Sequence, residues 1–219
     1  MRLTLPVSSR LLAGLALWLA FGLHIMTGLA ADGQALFATC QVCHGNNGEG
    51  NRKVGAPNIA GMDTWYVERQ LENFAAGRRG ATPADSFGAQ MRGAVVSSLP
   101  TIAERAAVAA TVAALPRVGA GGTARTSSAA EITNGRTHFN ALCSSCHNAS
   151  GAGNQALGAP RLAGVDNVYL ARQFVNFRTA LRGMHADDKF GKQMVAISKM
   201  LPDAKAERDV MAYIATIKP

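Results

Sequence analysis

The sequence predicts an all-α protein made of two tandem copies of one small helical domain, and three observations carry that reading. Sliding the chain by 103 residues superposes Cys40 on Cys143 and keeps register as far as Met91 on Met194, with 24 of 52 aligned positions identical. Chance does not produce that level of identity, so the chain contains an internal duplication. Apolar residues recur at helical spacing in both copies, and no convincing strand alternation appears. Each copy also opens on one five-residue pattern, Cys40-Gln41-Val42-Cys43-His44 and Cys143-Ser144-Ser145-Cys146-His147, which together use all four cysteines.

Taken in order, residues 1–30 read as a secretory signal peptide. Arg2 and Arg10 give it a positive start, Leu11 to Leu23 an apolar middle, and Gly28-Leu29-Ala30 a small-residue cleavage site. Cleavage after Ala31 and retention as a membrane anchor are the competing readings, since Leu11 to Ala31 is long enough to span a bilayer. Removing residues 1–30 lowers the formal net charge from +8 to +6. The rest divides into a first domain over 31–116, a linker over 117–130 rich in Gly, Ser, Thr and Ala, and a second domain over 131–219.

Each domain is expected to hold three helices. Asp32, and Asn134 in the second copy, can cap a helix that runs into the cysteine motif. Asp63 and Asp166 can cap a middle helix carrying Tyr66, Gln70 and Phe74, or Tyr169, Gln173 and Phe177, with Gly77 and Gly183 to stop it. Pro100 and Pro202 can open a last helix, whose apolar face is Val108, Val112 and Leu115, or Val210, Tyr213, Ile214 and Ile217. A domain of 85–90 residues has a marginal core of its own, so a large apolar group inside it would matter for folding.

Cys-x-x-Cys-His is the attachment signature of c-type haem. Two thiols on one helical turn can each add to a haem vinyl group, and the next residue then offers an imidazole to the iron. A disulfide, a redox dithiol or half of a zinc site explains the cysteine pairs. None of them explains a histidine directly after the second cysteine, twice. The sequence therefore predicts two covalently bound haem c groups, each wrapped by a few helices, attached through Cys40 and Cys43 and through Cys143 and Cys146.

His44 and His147 are the expected proximal ligands. Met91 and Met194 are the expected distal ones, because among eight methionines only these two coincide under the repeat, each 47 residues after its histidine within Phe-Gly-x-Gln-Met. Core filling accounts for Met62, Met184, Met200 and Met211, and His138 and His185 read as surface residues without counterparts in the first copy. Two axial side chains leave no iron position for substrate, which points to electron transfer rather than catalysis. The carbonyls of Pro57 and Pro160 are placed to accept the Nδ1 proton of the proximal imidazoles. Trp65, Tyr66, Tyr169, Arg69 and Arg172 are candidates for contact with haem propionates.

With its two Cys-x-x-Cys-His domains, each followed by Gly-Ala-Pro and Gly-x-Gln-Met, the chain resembles the di-haem cytochrome c4 family over everything beyond the signal segment. That resemblance implies tandem cytochrome c-type domains whose haem propionate edges face each other across a pseudo-twofold interface. It also implies a periplasmic carrier between a membrane quinol-oxidising complex and a terminal oxidase. The last helix of the first domain departs from it, reading Thr111-Val112-Ala113-Ala114 without a partner for Tyr213, and the linker is long.

The alternative reading is a cytochrome subunit of a periplasmic dehydrogenase acting on sulfur compounds or alcohols. An autonomous enzyme is disfavoured, because the sequence holds no nucleotide-binding glycine loop, no third metal cluster and no spare cysteine. Nucleic acid is not an expected partner for an exported haem protein without an aromatic-basic patch. The expected partners are redox proteins or an anionic membrane surface. Residues 32–116 carry seven basic and seven acidic side chains, and residues 129–219 eleven and seven, so the second domain is the expected docking face. Lys189, Lys192, Lys199 and Lys205 are its surplus cations, to be compared with Arg78 and Arg79 of the first domain.

Overall fold

The computed structural model describes residues 31–119 and 126–218, and the predicted signal segment lies outside them. The regular structure of the described part is helical apart from two isolated bridges, Asn51 to Ala56 and Asn154 to Ala159, which close the same turn in each copy. No helix among the described residues is long and apolar enough to cross a membrane.

The first domain contains α1 (Gly33–His44), α2 (Thr64–Ala75), α3 (Ser86–Ser98) and α4 (Ile102–Ala114), with a 3₁₀ turn at Arg52–Val54. The second repeats the order, with its first helix broken at Cys143. It contains α5 (Ala129–Leu142), α6 (Ser144–His147), α7 (Asn167–Arg178), α8 (Lys189–Ser198) and α9 (Ala204–Ile214). The helices carrying Met91 and Met194, α3 and α8, were not among the three expected per domain. A buried aspartate caps each: Asp85 accepts from Gly88 N at 3.1 Å and Asp188 from Gly191 N at 2.8 Å.

Asp32 caps α1 as expected, its Oδ1 accepting from Gln34 and Ala35. The second copy departs, because Ser128 caps α5 in a reciprocal box with Glu131, while Asn134 lies inside that helix and donates to Asp209. Thr101 and Glu104 form the same box at α4, so Pro100 sits one residue before the cap, as Pro202 does before Asp203. Gly77 follows α2 with φ +71°, but α7 ends earlier than Gly183, and Ala180 at φ +61° takes the left-handed position there.

The core of the first domain is Phe37, Leu71, Phe74, Val95, Leu99, Val108 and Val112, and that of the second is built on Phe139, Phe174, Leu201, Val210 and Ile214. The first and last helices cross tightly in both. A Cβ on Gly33 would strike the Ala107 carbonyl, and one on Gly135 the Asp209 carbonyl, so both crossings require glycine. Tyr213 packs on Phe139 with ring centroids 5.3 Å apart, a contact the first domain lacks. Met184 and Met200 are exposed rather than core, at 60% and 58%.

Candidate haem sites

In the first copy, Cys40, Cys43, His44 and Met91 line one cavity between α1, α2 and α3, together with Pro57, Leu71, Phe74 and Val95. In the second, Cys143, Cys146, His147 and Met194 line its counterpart. The centre of a water-sized sphere reaches about 200 Å³ of the first cavity and about 170 Å³ of the second. A single water needs only about 10–15 Å³ by that measure, so these apolar cavities suit a large group rather than a few waters.

Both histidines are buried, with 7% of their surface exposed. Nδ1 of His44 lies 2.9 Å from the Pro57 carbonyl, and Nδ1 of His147 lies 2.8 Å from the Pro160 carbonyl. A carbonyl can only accept, so Nδ1 donates and the proton sits there, which leaves the lone pair on Nε2 for a metal. Burial pushes both imidazoles below their ordinary pKa and the carbonyl bond pushes back, so each is held neutral as a ligand must be.

The four cysteines are unpaired. Burial pushes Cys40 up and Cys143 up to about 11. A redox dithiol uses a depressed thiol, and these two are shifted the other way. Among the described residues no cluster of three or more His, Cys, Asp or Glu side chains could hold a metal ion. His185 is exposed at the surface, and His138 is half-buried.

The two cavities abut. Met62, Tyr66, Gln70, Tyr169 and Gln173 border both. At this boundary Arg79 donates to Gln70 at 2.9 Å, to Tyr169 at 3.0 Å and to Gln173 at 3.0 Å. Arg182 donates to Gln173 at 2.8 Å and to Gln70 at 2.7 Å. Under the 103-residue repeat Gln70 maps to Gln173 and Arg79 to Arg182, so the contacts obey a pseudo-twofold axis. Burial alone would push the Tyr169 phenol up, but Arg79 and Arg182 outweigh it and draw it down to about 8.

Both guanidiniums are buried, yet neither is ion-paired with a carboxylate among the described residues, and Arg79 Nε has no partner. Asp188 favours the charge on Arg182 without forming an ion pair with it, and a buried cation short of anions is costly. Haem carboxylates at this boundary would supply further anions, so the residues fit the group. Arg79 was expected among the surface cations of the first domain, and its identity with Arg182 under the repeat was the available signal for a different role.

A duplicated helical fold with a Cys-x-x-Cys-His motif, a tautomer-fixed histidine and a methionine around each apolar cavity defines a tandem di-haem c-type cytochrome. The family model for cytochrome c matches twice, over residues 30–114 and 132–218, and the chain belongs to that family. It is 30% identical to a cytochrome c4 of Pseudomonas aeruginosa, over 86% of this chain and 90% of the relative. It is also 30% identical to the thiosulfate dehydrogenase electron acceptor of Stutzerimonas stutzeri, over 83% and 87%. Reduced cytochrome c4 from Pseudomonas stutzeri superposes with a TM-score of 0.65 at 25% identity, covering 84% of this chain and 96% of that one. The protein is a di-haem electron-transfer protein of the cytochrome c4 kind, with two covalent haem c groups rather than an active site.

Proposed function

We propose that the protein is a periplasmic one-electron carrier. In this reading His44 and Met91 ligate the iron of the first haem and His147 and Met194 that of the second. Cys40, Cys43, Cys143 and Cys146 form the thioether links. The observation that carries it is the convergence of one cysteine pair, one Nε2 lone pair and one thioether on each apolar cavity. Each bound haem supplies an iron that takes up and releases a single electron. The protein's own part is to fix the imidazoles through Pro57 and Pro160, to exclude water with the apolar walls, and to place Arg79 and Arg182 for the propionates. With both axial positions filled, no position remains for substrate.

Residues 1–30 act as the signal peptide, 31–116 and 131–219 as the haem domains, and 117–130 as the linker. The electron donor is a quinol-oxidising complex and the acceptor a terminal oxidase. A second reading, the electron-accepting partner of a sulfur-compound dehydrogenase, is supported by the likeness to a thiosulfate dehydrogenase electron acceptor across most of both chains. Met91→Ala and Met194→Ala test the ligands. Each should remove half of the weak near-infrared sulfur-to-iron band and sharply lower the potential of its own haem only; an unchanged band in either variant refutes that ligand.

A further inference from the structure

Two further arginines cross the domain boundary in the same mirrored way, at the edge of the Arg79 and Arg182 network: Arg172 lies 5.6 Å from the Tyr169 ring centroid and Arg69 5.5 Å from that of Tyr66. Arg172, on α7 of the second domain, donates to the Gly55 carbonyl of the first at 2.6 Å. Its guanidinium also lies over the Phe87 ring, 4.1 Å from the centroid. Arg69, on α2 of the first domain, donates to the Gly158 carbonyl of the second at 2.7 Å and lies over Phe190 at 4.5 Å.

What these two contacts join gives them meaning. Gly55 begins the Gly-Ala-Pro turn whose Pro57 carbonyl holds the Nδ1 of His44, so the carbonyl that Arg172 grips lies two residues from the one that orients the proximal imidazole. Phe87 lies on α3 four residues before Met91, one turn away on the same helix face. Its ring also packs against Gly55 so closely that a Cβ at Gly55 would strike it. Gly158, Phe190 and Met194 repeat the arrangement around His147. Each arginine therefore binds the histidine-side loop and the methionine-bearing helix of the opposite domain's cavity at once.

We propose that Arg172 and Arg69 are positioning residues that latch the opposite domain's haem crevice shut, so that methionine coordination in each domain depends on contact with the other. This rests on the axial ligand reading above. A charged hydrogen bond and a cation–π contact reinforce the packing of the phenyl ring on the glycine, and losing both should raise the open fraction of the crevice roughly tenfold.

The test uses the di-haem holoprotein and follows the rate at which added imidazole abolishes the sulfur-to-iron band. In a Met194→Ala background the remaining band belongs to the first domain. Arg172→Ala, a change in the second domain, should speed its loss roughly tenfold, while Arg69→Ala, in the first domain itself, leaves it unchanged. In a Met91→Ala background the two arginines exchange roles. Arg172→Lys keeps a donor for the Gly55 carbonyl and should recover most of the wild-type rate. If Arg172→Ala does not retain both haems, Phe87→Leu removes the other half of the same contact and should speed the loss likewise. Unchanged rates, equal effects of both arginines on both bands, or faster loss only in the arginine's own domain overturns the latch. A wild-type protein without the band overturns the ligand reading and the latch together, whereas a normal band with unmoved rates overturns the latch alone.

Discussion

Arg182 of the second domain donates to Gln70 of the first at 2.7 Å, and Arg79 returns the contact to Gln173 at 3.0 Å. Two positive charges are thus buried together where the cavities meet. A charge shared in this way acts on both haems, because positive charge nearby disfavours the more positive, oxidised state. Arg182→Gln should therefore lower both potentials by tens of millivolts, on the order of one tenfold step in a one-electron equilibrium (about 59 mV). Potentiometric titration of both haems checks this, and a potential that rises or stays fixed in either haem refutes the shared role.

Gly77 and Ala180 are the two copies of one helix end, both left-handed, at φ +71° and +61°. Space does not separate them, since a Cβ on Gly77 would meet nothing nearer than Arg92 at 3.7 Å. Backbone strain does, because an L-residue pays roughly 1–2 kcal/mol in that region, only partly offset by the looser unfolded chain of glycine. Ala180→Gly should therefore stabilise the second domain by up to about 1 kcal/mol, and Gly77→Ala should destabilise the first by a similar amount. Urea midpoints of the holoproteins give both values, and two shifts of the same sign would contradict the strain argument.

Most of this architecture was legible in the sequence. The duplication, the haem attachment motifs and the carbonyl partners of His44 and His147 follow from spacing alone, because covalent attachment and imidazole orientation demand fixed residues at fixed separations. Helix α3 was not legible because it carries no clean apolar stripe, whereas α8 is amphipathic and was passed over; a buried aspartate, Asp85 or Asp188, caps each. Asn134 was misplaced because a strong capping residue also serves well as a buried donor to Asp209. Arg79 looked like a surface cation and lies at the domain boundary, 7% exposed; its identity with Arg182 under the repeat is what sets it apart from Arg78.

Asp209 gives acid its point of attack on the second domain. Its carboxylate is 1% exposed and accepts from Lys205 and from Asn134, each at 2.6 Å, which ties α9 to α5. Lys205 chiefly, with Asn134, holds the carboxyl below the usual range, although burial pushes it up. A depressed pKa contributes stability that is complete above the ordinary aspartate value of about 3.9 and is lost as pH falls through the folded value. The first domain places Ala107 at the matching helix crossing and has no such contribution. Asp209→Asn should cost about 1–3 kcal/mol at pH 7, and the deficit should shrink as pH is lowered below 4. Urea unfolding of the holoprotein at both pH values reads this, and a deficit that stays constant with pH would exclude the carboxylate as the cause.

Docking should follow the charge difference between α8 and α3. Lys189 and Lys192 are exposed on α8 and Lys199 at its C-terminal cap, and the counterparts of the first two on α3 are Ser86 and Ala89. The lysines recur at three- and seven-residue steps, so they share one stripe on the helix that carries Met194. Over whole domains the balance is seven basic and seven acidic residues in 32–116, against eleven and seven in 129–219. Haem carboxylates lower both balances alike and leave the difference standing. Such asymmetry orients a protein in a partner's field within about one Debye length, roughly 8 Å at physiological salt. Electron transfer to an acidic redox partner should therefore slow steeply with added salt, and Lys189→Glu with Lys192→Glu should slow it more than the same reversal in the first domain. Arg79 cannot serve in that comparison, because reversing a buried charge would disturb the domain boundary; Arg78 and the exposed Arg92 can. Stopped-flow traces at two ionic strengths separate the cases. If reversal at α8 and at Arg78 with Arg92 slows transfer equally, the lysine stripe only keeps the protein in solution.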